Sequence, residues 1–206
     1  MPAEYGGRLA SVVDVKMIDG NNQSFHASGG IGLIASRLNL EGPLVKDKSS
    51  FMLSGRRTYA DVFLGLSRDS SIRDNSLYFY DFNAKANYIL NKKNRLFLSG
   101  YFGRDKLGFG KTFGIDYGNS TATLRWNHIF NGRLFLNNSI IYSNYNYNIE
   151  IKSGVNNIII KSKIEDLALK TDFQYFINND NKINFGTQIT RHLLSPGIVD
   201  ASANSS

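Results

Sequence analysis

Two glycine-containing stretches of this 206-residue chain have the residue types of nucleotide-binding motifs. Residues 30–35 read G-x-G-x-x-A, as in a dinucleotide-binding turn, and residues 110–112 read Gly-Lys-Thr, as at the end of a phosphate-binding loop. The first motif needs a crossover helix and a later acidic residue, but Pro43 follows too soon and residues 48–58 contain no acid. The second needs a glycine at the position of Asp105. We therefore predict neither nucleotide site, and we expect a small-residue turn between strands at residues 30–35.

The three histidines are the other residues that could ligate a metal or act in acid–base catalysis. His26, His128 and His192 are far apart and show no ligand spacing. The chain contains no cysteine, which excludes a disulfide and a cysteine-based zinc site. No nucleophile, base and orienting acid can be grouped from the sequence. We therefore expect no catalytic residue, no bound metal and no cofactor, and we predict that the protein is not an enzyme.

Polar and apolar side chains alternate in segments of about ten residues between Phe51 and Thr190. Successive side chains of a strand point to opposite faces, so this spacing predicts strands with one apolar and one polar face. Helical spacing would mix the two sets. The predicted apolar face contains Tyr78, Tyr80, Phe82, Tyr88, Leu124, Trp126, Leu167, Leu169, Phe173 and Tyr175, and the predicted polar face contains Asp81, Asn83, Lys85, Arg125, Asp166, Lys170 and Asp172.

Such alternation is typical of two kinds of fold, a soluble antiparallel sheet with one face in a core and a membrane β-barrel. Soluble strands usually run about five or six residues, whereas these segments are longer. Tyr78, Tyr80 and Tyr88 lie near the two ends of their apolar stripe, where the aromatic girdles of membrane barrels are found. Both observations favour a transmembrane barrel whose apolar residues are lipid-facing and whose polar residues are lumen-facing.

Composition is compatible with this prediction. Half of each barrel strand faces water, so a mean hydropathy of −0.26 does not argue against a membrane protein. The net charge of +7 could indicate nucleic-acid binding, but lysine and arginine are scattered and form no basic run of five. We expect no nucleic-acid partner.

The connections between the alternating segments are short and long in turn. Residues 91–94, 131–132 and 178–181 are asparagine-rich and predict tight hairpin turns. Residues 62–76, 106–119 and 145–161 form longer links, which places the short turns on the periplasmic side of an outer-membrane barrel. The predicted strands are about nine in number and span residues 24–32, 34–41, 49–61, 77–90, 95–105, 120–130, 133–146, 163–177 and 182–191.

Several runs of the sequence resemble one family. Tyr5-Gly6-Gly7-Arg8-Leu9, followed by a valine-rich stretch to Val15, is similar to the closing strand of the plug domain in TonB-dependent outer-membrane receptors of the Bacteroidota type. Residues 32–43 and 49–59 are similar to the opening barrel strands of that family, and residues 96–105 and 121–128 continue the resemblance. The resemblance therefore covers nearly the whole chain.

The resemblance implies an all-β fold, an antiparallel up-and-down meander of about nine long strands that is a partial segment of a 22-stranded, plugged transmembrane barrel. Residues 1–20 would be the C-terminal end of the plug, residues 21–194 the N-terminal barrel strands, and residues 195–206 a polar tail or the start of an extracellular loop. Residues 2–6 contain neither the basic region nor the apolar stretch of a signal peptide. A sheet of nine strands would also leave unpaired edges in lipid, so we expect a fragment.

The resemblance also implies a function, which is part of an outer-membrane receptor for active uptake of a large, scarce nutrient such as a siderophore, cobalamin or an oligosaccharide. The expected partners are outer-membrane lipid, the rest of the barrel and plug, the TonB complex through an upstream segment, and a nutrient. Loop cations and aromatics could pair with or stack on that ligand, although each could instead be a solvated loop residue. These ligand-binding candidates are Arg68, Arg73, Tyr117, Tyr145 and Tyr147.

Two other classes of protein stay open on the sequence. A small complete outer-membrane barrel of about eight strands would have a structural or adhesive role. A soluble β-sheet binding module would fold in buffer without detergent.

Overall fold

The computed structural model describes residues 14–110, 112–153 and 156–203, with side chains through residue 198. Nine strands within these residues form one antiparallel sheet in which each strand pairs with the next along the chain. They are β1 (His26–Ile31), β2 (Ala35–Val45), β3 (Ser49–Thr58), β4 (Ser76–Asn91), β5 (Asn94–Phe109), β6 (Phe113–Ile129), β7 (Leu134–Ser153), β8 (Asn156–Phe176) and β9 (Lys182–Ala203). Two short helices, α1 (Ala60–Gly65) and α2 (Ser70–Arg73), lie between β3 and β4. The predicted all-β antiparallel meander is confirmed.

Asparagine side chains build three of the turns at one end of the sheet. The side-chain oxygens of Asn91, Asn131 and Asn178 each accept a hydrogen bond from the backbone N–H two residues later, at 2.9, 2.9 and 3.1 Å. Such a bond replaces the backbone bond of a turn and suits a tight reversal between strands. All three predicted tight turns are therefore confirmed. The predicted turn around residues 30–35 is also confirmed, since the Gly32 N–H donates to the Ala35 carbonyl between β1 and β2.

The opposite end of the sheet differs from the sequence prediction. Residues 106–119 and 145–161 are largely strand rather than long loops, because β5 and β6 continue to Phe109 and from Phe113, and β7 and β8 continue to Ser153 and from Asn156. The expected link at residues 62–76 does lie between strands, and it contains both helices. The last strand likewise continues through residues 195–203, where the sequence predicts a polar tail, by pairing with β8 as far as Ala203.

Side-chain exposure shows which face of the sheet is crowded. Phe97 is 7% exposed and its neighbour Leu98 is 55% exposed. Because successive side chains alternate, the face that contains Phe97 is crowded and the face that contains Leu98 is open, as in a curved sheet. We call the crowded face the inner face and the open face the outer face.

The sheet is open within the described residues. β1 and β9 each pair with one neighbour only, and they are not paired with each other. Each therefore presents a row of backbone hydrogen-bonding groups at an edge. No helix in the described part of the chain is long and apolar enough to cross a membrane.

Candidate functional site

A largely apolar surface covers the outer face of β4 to β9, and we call it the apolar band. One row of polar residues interrupts it in β7 to β9, at Asn138, Thr171 and Thr187, and Thr171 Oγ1 donates to Asn138 Oδ1 at 2.9 Å. Cross-strand pairing joins its members, as in the row Ala86, Leu98, Leu124, Ile140, Leu169 and Ile189. All ten residues predicted for the apolar face lie on this face. The band consists mainly of Tyr78, Tyr80, Phe82, Ala84, Ala86, Tyr88, Leu96, Leu98, Phe102, Ala122, Leu124, Trp126, Leu134, Leu136, Ile140, Tyr142, Leu167, Leu169, Phe173, Tyr175, Ile183, Phe185 and Ile189.

Aromatic side chains with a polar group mark the two borders of the band. On the border away from the asparagine turns, the rings of Tyr78 and Tyr80 stack with 6.4 Å between their centres. On the border near those turns, Trp126 Nε1 donates to Asn94 Oδ1 at 3.0 Å. Tyrosine and tryptophan have an apolar ring and a polar tip, which suits a boundary between an apolar and an aqueous phase.

The band runs obliquely across the strands. On the border away from the asparagine turns, the band ends at Tyr78 in β4 and at Ile189 in β9. The cross-strand partners place Ile189 level with Ala86, which is eight residues from Tyr78. At about 3.4 Å per residue and about 4.8 Å between strands, this shift of about 27 Å over about 24 Å corresponds to about 48°.

Beyond the band the two faces exchange their polarity. In the extensions of β5 to β8 away from the asparagine turns, the outer face is polar and the inner face is largely apolar and aromatic. This change of phase explains why these extensions read as loops in the sequence, because strict alternation breaks where it occurs. The outer-face residues are Arg104, Lys106, Asp116, Asn144, Asn146, Asn148, Lys161, Lys163 and Glu165, and the inner-face residues are Leu107, Ile115, Tyr117, Tyr145, Tyr147, Ile149, Ile160 and Ile164.

Ion pairs occupy the outer face just beyond the band. Arg104 donates from Nε and Nη2 to the two carboxylate oxygens of Asp116 at 2.8 and 2.9 Å. Lys163 Nζ lies 2.7 Å from Glu165, and Tyr142 Oη donates to the same carboxylate at 3.0 Å. The hydrogen bond from Lys163, followed by that from Tyr142, lowers the pKa of Glu165. Charged pairs of this kind are typical of a surface in water.

The residues predicted for the polar face all lie on the inner face. Asp81, Asn83 and Lys85 alternate with the band residues of β4, and the other four do so in β6 and β8. Asp81 accepts Arg56 Nη2 at 2.7 Å, and Asp166 lies 2.7 Å from His192 Nδ1. The inner face thus satisfies much of its charge within the sheet.

Three cations surround the ring of Phe97 on the inner face, and we call this group the Phe97 cluster. Arg125, Arg95 and Lys85 lie 4.4, 4.7 and 5.7 Å from the ring centre. Sequence reasoning predicts Lys85 and Arg125 on this face but misses Arg95 and Phe97. The alternation in β5 does indicate the face of these two residues. Arg95 and Phe97 alternate with Leu96 and Leu98, which lie on the outer face.

A segment before β1 crosses the inner face, and we call residues 14–21 the strap. Asp19 bridges Lys85 Nζ at 2.7 Å and Arg95 Nη2 at 3.0 Å, and Lys85 also donates to the Met17 carbonyl. Most of the stretch that resembles a plug strand, residues 1–13, lies outside the described residues.

The structure brings together three of the five ligand-binding candidates. Tyr117 and Tyr147 are cross-strand partners on the inner face, and the rings of Tyr145 and Tyr147 are 6.4 Å apart. All three are strand residues rather than loop residues, which corrects the sequence prediction. Arg68 lies between the two helices and Arg73 ends α2. No described contact joins either arginine to the tyrosines.

The described residues contain no group of three or more His, Cys, Asp or Glu side chains arranged to hold a metal ion. His128 Nδ1 instead lies 2.7 Å from Asn94 Oδ1. No protein-family model matches the sequence, and no curated protein or solved structure is significantly similar to it.

Proposed function

We propose that this chain forms part of the wall of an outer-membrane β-barrel of the TonB-dependent receptor type, with lipid on its outer face. The observation that carries the proposal is the apolar band, which is bordered by Tyr and Trp and lies opposite a polar inner face. Transmembrane barrels combine an outward apolar band, aromatic girdles and a polar interior.

The slope of the band supports the same proposal. Strands of transmembrane barrels tilt by about 35–45° from the membrane normal. A flat membrane therefore crosses successive strands at shifted positions. The border from Tyr78 to Ile189, at about 48°, lies close to that range. A hydrophobic core beneath a soluble sheet has no need for borders that follow such a slope.

The exposure of the band argues against a soluble sheet with one buried face. Leu98, Ile140 and Leu169 in its interior are 55%, 50% and 47% exposed. Soluble proteins rarely leave a continuous apolar patch larger than a few hundred Å² in water. Within the described residues nothing packs over this face, and lipid would cover it.

The open edges of the sheet support a larger barrel. Unpaired edges are not tolerated in the hydrocarbon region, so β1 and β9 each require another strand. A complete small barrel would pair β1 with β9, which the described sheet does not do. We propose that further strands close the barrel, and that these bring it to the 22 strands that the sequence resemblance implies.

The proposed activity is uptake of a large, scarce nutrient: a siderophore, cobalamin or an oligosaccharide. It rests on the sequence resemblance, and the three inner-face tyrosines offer aromatic surface for such a ligand. The TonB complex would act through a segment upstream of the strap. Deleting the gene should abolish growth on one limiting nutrient of these classes, and unchanged growth on all of them would reject the receptor assignment.

The membrane assignment has a direct test, because Trp126 is the only tryptophan of the chain. Its fluorescence in vesicles should be quenched more strongly by lipids brominated near the headgroup than by lipids brominated near the bilayer centre. As a matched control, the Trp126→Phe and Thr123→Trp double variant moves the indole to the inner face and should escape quenching. Equal quenching of both proteins, or of neither, would reject the face assignment.

A further inference from the structure

The Phe97 cluster carries more positive charge than its described partners neutralise. Lys85, Arg95 and Arg125 share one ring, and Phe97 is 7% exposed. A ring face attracts each cation, but three like charges this close repel one another. Among the described ion pairs, Asp19 is the one carboxylate that reaches the cluster, and it contacts Lys85 and Arg95 but not Arg125.

The ammonium group of Lys85 is bound by acceptors on the strap. Its side chain is 10% exposed, so its ammonium group has lost most of its water. Asp19 Oδ1 and the Met17 carbonyl are its acceptors on the strap. Leaving a largely buried cation without a partner is strongly unfavourable, which makes the Asp19 contact worth more than an exposed ion pair.

The rest of the strap is positioned by close packing against β3 and by a hydrogen bond from a backbone N–H to β2. A Cβ at Gly20 would lie 2.0 Å from the Phe51 carbonyl oxygen, so the strap passes β3 with no room for a side chain. The Asn21 N–H donates to Glu41 at 3.1 Å. These contacts guide the strap across β2 and β3. Lys85 and Arg95 attach it to β4 and β5 through the Asp19 carboxylate, and Lys85 also through the Met17 carbonyl.

We propose that the Phe97 cluster is a carboxylate-binding site whose occupant is Asp19 of the same chain, and that this contact acts as an electrostatic latch for the strap. Lys85 and Arg95 bind the carboxylate directly. Arg125 adds positive potential without touching it. Removing the charge releases the strap from the inner face while the sheet stays folded. The latch goes beyond the proposed function, because it concerns how the segment before β1 is held, whatever the barrel transports.

The latch can be tested by a distance measurement, since the chain has no native cysteine. Spin labels are placed at Lys16→Cys on the strap and Lys161→Cys on the outer face, both in exposed positions. The protein refolded in detergent micelles should give a narrow distance distribution. In Asp19→Asn, and in Lys85→Gln with Arg95→Gln, the distribution should become broad. Asp180→Asn, which removes an exposed turn carboxylate, is the matched control and should leave it narrow.

Two further measurements separate the latch from a general loss of structure. The charge swap, Asp19→Lys with Lys85→Glu and Arg95→Glu, should restore the narrow distribution. High salt, where the Debye length is about 3 Å, should broaden the distribution of the native protein, and Arg125→Gln should lower the salt concentration required. Circular dichroism of each variant should report an unchanged sheet.

A narrow distribution in Asp19→Asn with the sheet intact would overturn the latch, because shape alone would then hold the strap. If Asp19→Asn fails to fold, a narrow distribution in Lys85→Gln with Arg95→Gln, with the sheet intact, has the same meaning. The distances do not depend on bilayer insertion. Failure of the latch therefore leaves the Trp126 quenching result untouched, and failure of the membrane assignment leaves the latch untouched.

Discussion

Ala168 and Leu169 are consecutive residues of β8 that lie in opposite environments, with 6% and 47% of their surface exposed. Ala168 packs on the crowded inner face between β7 and β9, and Leu169 projects from the middle of the apolar band. Phe97 and Leu98 in β5 show the same contrast, at 7% and 55% exposed. A single substitution on each face therefore tests the whole assignment.

Leu169→Arg should destabilise the protein in lipid by about 2–4 kcal/mol, because it places a cation on the lipid face near the bilayer midplane. The matched control is Thr190→Arg, at the inner-face position across from Ala168. Its cation faces the proposed lumen and should cost far less. Denaturant unfolding in vesicles, followed by Trp126 fluorescence, measures both. Equal costs would contradict the proposed orientation of the sheet.

The protein should require an amphiphile to fold. In buffer the apolar band faces water, so we expect aggregation, whereas detergent micelles should cover the band and allow the sheet to form. Sedimentation and circular dichroism after refolding with and without detergent compare the two conditions. A monomeric, β-structured protein in plain buffer would favour a soluble binding module.

Gly186→Ala should destabilise the sheet by about 1–3 kcal/mol, because overpacking against backbone cannot be relieved by a rotamer change. A Cβ at Gly186 would lie 2.3 Å from the Thr171 carbonyl oxygen. Gly114→Ala is the control, since its Cβ would meet no atom within 4 Å. The control should be neutral or slightly stabilising, because glycine weakens a strand. Unfolding midpoints that shift equally would show that the close approach in β9 is not a constraint.

Asn178→Ala should cost about 1 kcal/mol, by analogy with the loss of a helix-capping side chain. The Asn178 side chain accepts the backbone N–H groups of both Asp180 and Asn181 in the turn before β9. Asn179→Ala changes the next residue of the same turn and should have little effect. The difference in free energy of unfolding between the two variants measures the contribution of this turn. A null difference would indicate that the strands alone determine the hairpin.

The sequence predicts best those segments in which the apolar residues stay on the same face from one end to the other. In β4 the apolar set from Tyr78 to Tyr88 keeps its parity from one border of the band to the other, and each residue lies on the expected face. The sequence predicts the extensions of β5 to β8 as loops, because the apolar residues change from one face to the other there. Tyr117 and Tyr147 are apolar positions on the inner face, whereas Leu124 and Ile140 in the same strands are apolar positions on the outer face.

The contacts of the Phe97 cluster with the strap could not be predicted from sequence patterns, for a different reason. Asp19 and Arg95 are 76 residues apart, and their contact depends on the register of β3, β4 and β5 and on the path of the strap. No local pattern encodes that register, although the parity of Arg95 and Phe97 indicates their face.

The sequence by itself determined the strand class, the positions of the three asparagine turns and the side of the sheet on which the ten predicted band residues lie, because a period of two is a local property of the backbone. Only the tertiary structure decided the slope of the band, the cations that share Phe97, the tyrosines that meet on the inner face and the path of the strap. These depend on how far each strand slides against its neighbour, and that register follows from many cross-strand contacts acting together.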